Sequence, residues 1–193
     1  MFDQFTIFAR HILNNNIYDF NYLTIDPGLS NIGWCYCSFR DFKLFDIGRL
    51  SLETQTTYYN NDKRINKIYD YVQHLMIKYG TKTVCIEQIN YSKGKHSFGE
   101  QSLLKAIGII YITILSEGGN VIEISNRKAQ YVLLRTAKHF NKKIIFDYVY
   151  TLLKNNIDYS FVKKIFTRSK NDICDAIFLA YAFRHIILKI IRE

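Results

Sequence analysis

The chain has 193 residues, which suits one globular domain with a substantial core. Hydrophobic residues make up 48% and charged residues 22%, which excludes a disordered chain, and no run of about 18 apolar residues predicts a membrane span. The formal net charge of +9 favours an anionic partner, most commonly nucleic acid.

Residues 1–21 precede the first predicted strand and are expected to form an N-terminal leader or a short helix. Asp3, Arg10 and Asp19 stand among their apolar residues, and no signal-peptide core or cleavage site follows. The four cysteines form no C-x-x-C pair, which favours small buried side chains in a reducing compartment over a zinc site. We therefore expect a non-secreted, intracellular protein; a viral, a bacterial and an organellar origin all stay open.

Three strands are predicted in close succession. Tyr22–Ile25 is an apolar run, and a Pro-Gly turn separates it from a second strand over Asn31–Phe39. The segment 43–52 is a third strand with an internal glycine. Short turns between successive strands predict an antiparallel meander.

The rest of the chain alternates helices and strands. Apolar residues recur with a helical period over 61–80, and a continuous apolar run over 83–89 is typical of a strand buried on both faces. The remaining predicted elements are a long apolar helix over 100–119, a strand over 120–125, and helices over 126–140, 141–156 and 169–193. This order predicts an α/β fold with a mixed five-stranded sheet and helices on both faces.

Four carboxylates stand where these elements begin or end. Asp26 ends the first strand, Glu87 is near the end of the fourth, and Asp172 and Asp175 open the last helix on one face. Each has an ordinary explanation as a turn former, a solvent-facing strand residue or an acid at a helix start. Glu87 fits this explanation least, since an unpaired charge in a buried strand is costly. Together the acids favour a site for Mg2+, and two such ions can promote phosphodiester hydrolysis.

The segments IDPGLSNIGWCYC, VCIEQI and KNDICDAIFLAYA resemble, in this order, the motifs of the RuvC family of Holliday junction resolvases. That family is part of the ribonuclease H-like superfamily, to which the poxvirus-type resolvases also belong. The resemblance spans about residues 22 to 185 and implies a single ribonuclease H-like nuclease domain over 22–193. It further implies that Asp26, Glu87, Asp172 and Asp175 are catalytic and bind two Mg2+ ions, with Mn2+ as a substitute.

The same resemblance implies a crossover junction endodeoxyribonuclease that cuts four-way DNA junctions by paired symmetric nicks. Such enzymes act as homodimers, at sites of DNA replication or recombination, and need neither a membrane nor a small-molecule cofactor. The very apolar helix segment 101–115 exceeds what one buried face needs, which favours a dimer surface; the alternative is a helix enclosed in the core.

An active-site lysine is also implied, at the start of the helix before the last one. The matching segment HFNKKIIFDYV places it at Lys142, with Lys143 as the alternative. The family's Gly-rich turn before this lysine is replaced here by RTAKHF. A solvated helix start explains both lysines about equally well.

The loop after Glu87 is expected to enter the junction. Tyr91 or Phe98 would stack there on an unpaired base, although both aromatics would serve equally to anchor the loop. Lysines and arginines of this loop and of the later basic clusters are expected to contact phosphates. The predicted DNA-binding residues are Tyr91, Lys93, Lys95, Arg127, Lys128, Lys138 and Lys143.

Two other functions are also compatible with these residues. One is a ribonuclease H-type nuclease that acts on RNA/DNA hybrids, and the other is a non-catalytic junction-binding protein. An actin-like ATPase or sugar kinase is disfavoured, because no second phosphate-binding D-x-G segment is found.

Overall fold

The computed structural model describes residues 3–28, 30–52, 58–89, 98–135, 142–156 and 171–193. Within these ranges the helices are α1 (Gln4–Asn15), α2 (Tyr58–Tyr79), α3 (Phe98–Ser116), α4 (Asn126–Leu134), α5 (Lys142–Asn156) and α6 (Asn171–Arg192). The strands are β1 (Asn21–Pro27), β2 (Asn31–Ser38), β3 (Leu44–Ser51), β4 (Thr83–Gln88) and β5 (Asn120–Ser125). None of the described helices is long and apolar enough to cross a membrane.

The five strands form one mixed sheet in the order β3-β2-β1-β4-β5. β1, β2 and β3 are antiparallel neighbours, whereas β1, β4 and β5 run parallel to one another. The predicted meander and the predicted mixed five-stranded α/β fold are confirmed. Because β1, β4 and β5 run the same way, their carboxyl ends lie at one edge of the sheet.

Helices cover both faces of the sheet. Leu23 and Ile25 of β1 face the layer of α2 and α3, and the alternate residues Tyr22 and Thr24 face α6. The second layer also holds α1, α4 and α5. All residues of β1 after Asn21 are buried, as expected of a central strand, and the four cysteines are free and buried, as predicted.

The N-terminal helix α1 shares the main core. Asp3 caps its start by accepting the Thr6 N–H at 2.9 Å, and Phe5, Ala9 and Ile12 are buried in the cluster around α6. On the outer edge of β5, the Gln4 amide donates to the Glu123 carbonyl at 2.6 Å and accepts the Glu123 N–H at 3.3 Å. Residues 4–15 are therefore a packed helix that covers part of the sheet edge.

α4 ends earlier than the sequence predicts. Arg135 takes a left-handed backbone with φ of 52°, and its N–H donates to the Tyr131 carbonyl, which closes the helix after Leu134. The sequence predicts a helix as far as Phe140, because neither glycine nor proline interrupts 126–140. Residues 136–141 lie outside the described ranges.

Candidate active site

Directional hydrogen bonds join β1 to α6. The Tyr22 hydroxyl donates to the Ala180 carbonyl at 2.8 Å, and the Thr24 hydroxyl donates to the Ala176 carbonyl at 2.9 Å. Two residues of a strand advance about 6.6 Å, and four residues of a helix advance about 6 Å. Every second residue of β1 therefore lies beside every fourth residue of α6. The next step along both elements brings Asp26 to the first turn of α6.

The start of α6 lies on the backbone of β2 at Gly33. A Cβ atom at this position would stand 2.0 Å from the Asp172 carbonyl oxygen, so a larger residue requires the helix to move. Gly33 is the cross-strand partner of Asp26 on one side and of Arg49 on the other. Asp26, Gly33 and Arg49 thus form one row across three strands, and the first turn of α6 covers its middle.

The four predicted acids meet at this edge of the sheet. Burial raises the pKa of Asp26 well above its ordinary range, and a hydrogen bond with Glu87 and the charges of Glu87, Asp175 and Asp172 raise it further. Burial also raises the pKa of Asp175 to about 6; Lys142 lowers it, and Glu87 and Asp172 raise it. The acids are therefore close enough to repel one another when ionised.

The two acids of α6 are each paired with a basic residue. Asp172 Oδ2 lies 3.9 Å from Arg49 Nη1, and Asp175 Oδ2 lies 3.9 Å from Lys142 Nζ. The Lys142 side chain is 69% exposed, so its ammonium group lies between the acid and solvent. Lys143, the alternative from the sequence, is also exposed.

The donor set fits a hard divalent cation. All four acids offer carboxylate oxygens, which are ligands that Mg2+ and Mn2+ accept. Among the described residues, no group of three or more His, Cys, Asp or Glu side chains already stands in the arrangement of a metal site. The mutual repulsion of the four acids still favours a bound cation. Metal binding would require Asp26 and Glu87 to exchange their hydrogen bond for contacts with the metal.

A small cleft beside the acids connects them to α4 and α5. Its lining includes Glu87, Asp175, Ile145 and Asn126, the first residue of α4. Arg127 follows directly and is exposed, so this predicted DNA-binding residue lies at the same edge of the sheet as the acids.

The other predicted DNA-binding residues lie elsewhere or outside the described ranges. Lys128 Nζ lies 3.6 Å from Asp3 Oδ2 and 3.7 Å from the centre of the Phe5 ring. Its ammonium group therefore contacts α1, a contact that the sequence did not predict. The residues outside the described ranges are Tyr91, Lys93, Lys95 and Lys138.

An apolar groove among the described residues lies at the opposite end of the sheet. It has a volume of about 550 Å³ and is lined by α1 and by the amino ends of β4 and β5, including Ile7, Phe8, Lys82 and Val121. The acids occupy the carboxyl ends of the parallel strands instead.

Sequence reasoning missed two residues of the site, Gly33 and Arg49. Neither was singled out, because their relation to the acids depends on how β2 and β3 pair. The signal that bears on them is the register of the predicted hairpin, in which cross-strand partners point to the same face.

Known proteins similar to this chain point to one family. The family model described as crossover junction endodeoxyribonuclease RuvC matches residues 22–185. A RuvC protein of Treponema denticola is 33% identical over 97 residues, which are 49% of this chain and 51% of that protein. The chain thus aligns with about half the length of this relative.

Solved structures share the fold at low sequence identity. Thermus thermophilus RuvC in complex with a Holliday junction substrate has a TM-score of 0.64 and 14% identity, over 88% of this chain and 94% of that one. The yeast mitochondrial Holliday junction resolvase Ydc2 has the same TM-score and identity, over 94% of this chain and 87% of that one. Since the family model covers most of the sequence, the resemblance found in its motifs is confirmed: the chain belongs to the RuvC family of crossover junction endodeoxyribonucleases.

Proposed function

We propose that this protein is a structure-selective DNA endonuclease that resolves four-way junctions by paired symmetric nicks. The observation that carries the proposal is the convergence of Asp26, Glu87, Asp172 and Asp175 at one edge of the sheet, in a chain of the RuvC family. A Thermus thermophilus member was solved with a Holliday junction substrate, and the net charge of +9 suits a polyanion. The expected setting is DNA replication, recombination or repair.

The proposed role of the four acids is to hold two Mg2+ ions, for which Mn2+ would substitute. Divalent metal dependence is general in this family. When bound, such ions supply an activated water and stabilise the leaving oxygen in phosphodiester hydrolysis. Asp26 and Glu87 are fixed by the central strands β1 and β4, and Asp172 and Asp175 by the first turn of α6, so the chain contributes a rigid set of oxygen donors.

Lys142 is the proposed active-site lysine. Its ammonium group lies 3.9 Å from Asp175 and reaches solvent, where a DNA phosphate would arrive. There it would stabilise the negative charge that develops on the reacting phosphate. Arg127 and Lys143 are proposed to contact phosphates farther along the strand; Tyr91, Lys93, Lys95, Lys128 and Lys138 remain predicted DNA contacts.

A homodimer follows from the proposed reaction, since paired symmetric nicks require two active sites. The layer of α2 and α3 leaves three aliphatic side chains exposed, with Ile77 at 67%, Ile112 at 61% and Leu115 at 59%. Ile110 on the opposite side of α3 is fully buried. The helix therefore has one face in the core and one apolar face in solvent, which supports its use as a dimer surface.

The proposal is tested by Asp26→Asn, which keeps the side-chain shape and removes a metal-binding charge. We expect cleavage of a synthetic immobile four-way junction in Mg2+ to fall by orders of magnitude. Binding by gel shift and the melting temperature should be retained, because the basic residues and the core are unchanged. Asp19→Asn, at a side chain that is 84% exposed, is the matched control and should cut normally. Cleavage by Asp26→Asn at the wild-type rate would overturn the proposed role of Asp26 in metal binding.

The same assay separates the alternative functions. We expect a four-way junction to outcompete linear duplex of equal length, with affinity falling as salt rises. Preferential cutting of the RNA strand in a hybrid would favour a ribonuclease H. Binding of the junction without any nick in Mg2+ or Mn2+ would favour the non-catalytic junction-binding protein.

A further inference from the structure

Arg49 occupies a defined place beside the acids. It lies on β3, in one row with Gly33 and Asp26, and its side chain is only 25% exposed. Two strand spacings separate it from Asp26, which is about 10 Å. The guanidinium reaches from β3 toward the first turn of α6, so Arg49 borders the same edge of the sheet as the acids.

The surroundings of Arg49 require an anion. Its guanidinium lies beside the first turn of α6, where the helix dipole disfavours a positive charge. Asp172 offsets this cost at a distance of 3.9 Å. In the proposed function, however, Asp172 is one of the metal-binding acids, and a divalent cation would compete with Arg49 for that carboxylate.

We propose that Arg49 is a phosphate-binding residue of the nuclease site. Before metal binds it pairs with Asp172, and once the acids hold metal its guanidinium binds a DNA phosphate next to the one that is cut. This inference rests on the proposed function, since it assumes that DNA lies along this edge. An arginine suits the role because its planar fork donates two parallel hydrogen bonds to a phosphate and stays charged at any working pH.

The inference predicts a metal-dependent contribution to DNA binding. One phosphate contact contributes about 0.9 to the slope of log Kd against log salt concentration. With Ca2+, an oxygen-seeking cation, in place of Mg2+, Arg49→Gln should lower this slope by about 1 and weaken junction binding about tenfold at low salt. In EDTA, where Arg49 pairs with Asp172, the same substitution should change the slope little.

Arg40→Gln is the matched control. It removes the same charge at the far end of the β2–β3 hairpin, from a side chain that is 73% exposed. We expect it to leave the slope unchanged in both buffers. If Arg49→Gln and Arg40→Gln have the same slope as the wild type in Ca2+, the inference is overturned.

A second variant and a second measurement keep the test decisive. Arg49→Lys retains the charge, so the salt slope should stay near that of the wild type. Its affinity for the junction should lie between those of the wild type and Arg49→Gln. By calorimetry, Arg49→Gln should bind Mn2+ at least as tightly as the wild type does, because Asp172 is released from its pair with Arg49. Weaker Mn2+ binding by both folded variants would assign Arg49 a structural role and overturn the inference. A wild-type protein that binds but does not cut would contradict the proposed function, and the slopes would still decide the role of Arg49.

Discussion

The central strand β1 is held to its two helix layers by different kinds of contact. On the α6 face, the hydroxyls of Tyr22 and Thr24 donate to helix carbonyls, and Gly33 admits the helix backbone. On the α2 and α3 face, β1 contributes Leu23 and Ile25 to an apolar cluster. Apolar contact is not directional, whereas these hydrogen bonds specify the position of α6 along the strand.

This difference corresponds to which layer carries acids of the proposed active site. The α6 layer carries two of the four acids, and a catalytic arrangement tolerates displacements of only about 0.5 Å. The α2 and α3 layer carries none of the four acids. β1 packs against it through apolar side chains, which many small adjustments of packing can accommodate, whereas Trp34 and Tyr36 of β2 donate hydrogen bonds to it. The contacts of β1 and Gly33 with α6 therefore position the acids, and substitutions matched across the two faces should show it.

Gly33→Ala should have the largest effect. The new methyl group would collide with the Asp172 backbone, so α6 must shift, at a cost of about 1–3 kcal/mol in stability. Misplacement of the acids by about 1 Å should reduce junction cleavage about 100-fold. Gly108→Ala on α3, where a Cβ meets nothing within 4 Å, is the control and should stabilise the helix slightly. Melting curves and nicking rates of both variants check this; equal rates would contradict it.

Asp175→Asn should stabilise the metal-free protein in a pH-dependent way. The pKa of Asp175 is raised to about 6, so the folded state binds this proton more tightly than the unfolded state does. The stabilising contribution is therefore complete below about pH 4 and is lost as the pH rises through about 6. The melting temperature of the variant relative to the wild type should rise across this range by several degrees.

The control for Asp175→Asn is the addition of Mg2+ at pH 7.5, where the carboxylate is ionised. Bound metal should stabilise the wild type more than the variant, because the variant lacks one ligand charge. A difference in melting temperature that is flat between pH 4 and 7, with no response to Mg2+, would contradict the electrostatic explanation.

Thr24→Val should have a smaller effect that differs between the faces. It removes the hydroxyl that fixes α6 and leaves the Ala176 carbonyl with its helix partner, at a cost of about 1 kcal/mol. Thr113→Val on α3 is the control, since that buried hydroxyl donates to Ile109 in its own helix at 2.7 Å. We expect cleavage to fall several-fold only for Thr24→Val, by nicking assays at equal fractions of folded protein.

Ile112→Glu should have the smallest effect on folding, because its side chain is 61% exposed. It should nevertheless dissociate the proposed dimer, as a charge on an apolar contact is costly to bury. Ile7→Glu on α1, where the side chain is 60% exposed, is the control on the other layer. Sedimentation equilibrium at micromolar concentration measures both; a monomeric wild type would remove the basis of the prediction.

The fold and the acids were accessible from the sequence for a local reason. The strands and helices carry local apolar runs or periods, and each acid stands where such a segment begins or ends, so motif and context can be recognised together. Asp26 and Glu87 are next to buried runs, and Asp172 and Asp175 share one helical face. The four acids can therefore be recognised without knowing any distance between residues far apart in the sequence.

Arg49 could not be predicted in the same way, because its face depends on a β-bulge. The register of β2 against β3 shifts between Tyr36 and Cys37, so Cys37 pairs with Leu44 whereas Tyr36 pairs with Asp46. Counting back from the turn without the bulge would pair Gly33 with the residue before Arg49 and turn Arg49 to the opposite face. The packing of α1 could not be predicted from local sequence patterns either, since its partners lie at the other end of the chain.

The contact between Gln4 and Glu123 bears on solubility. A strand at the edge of a sheet offers unpaired main-chain groups to the strands of other molecules, which is a common route to aggregation. The Gln4 amide occupies both main-chain groups of Glu123 in the middle of β5, as a neighbouring strand would. Helix α1, which lies outside the region matched by the family model, thereby covers the middle of this edge against intermolecular strand pairing.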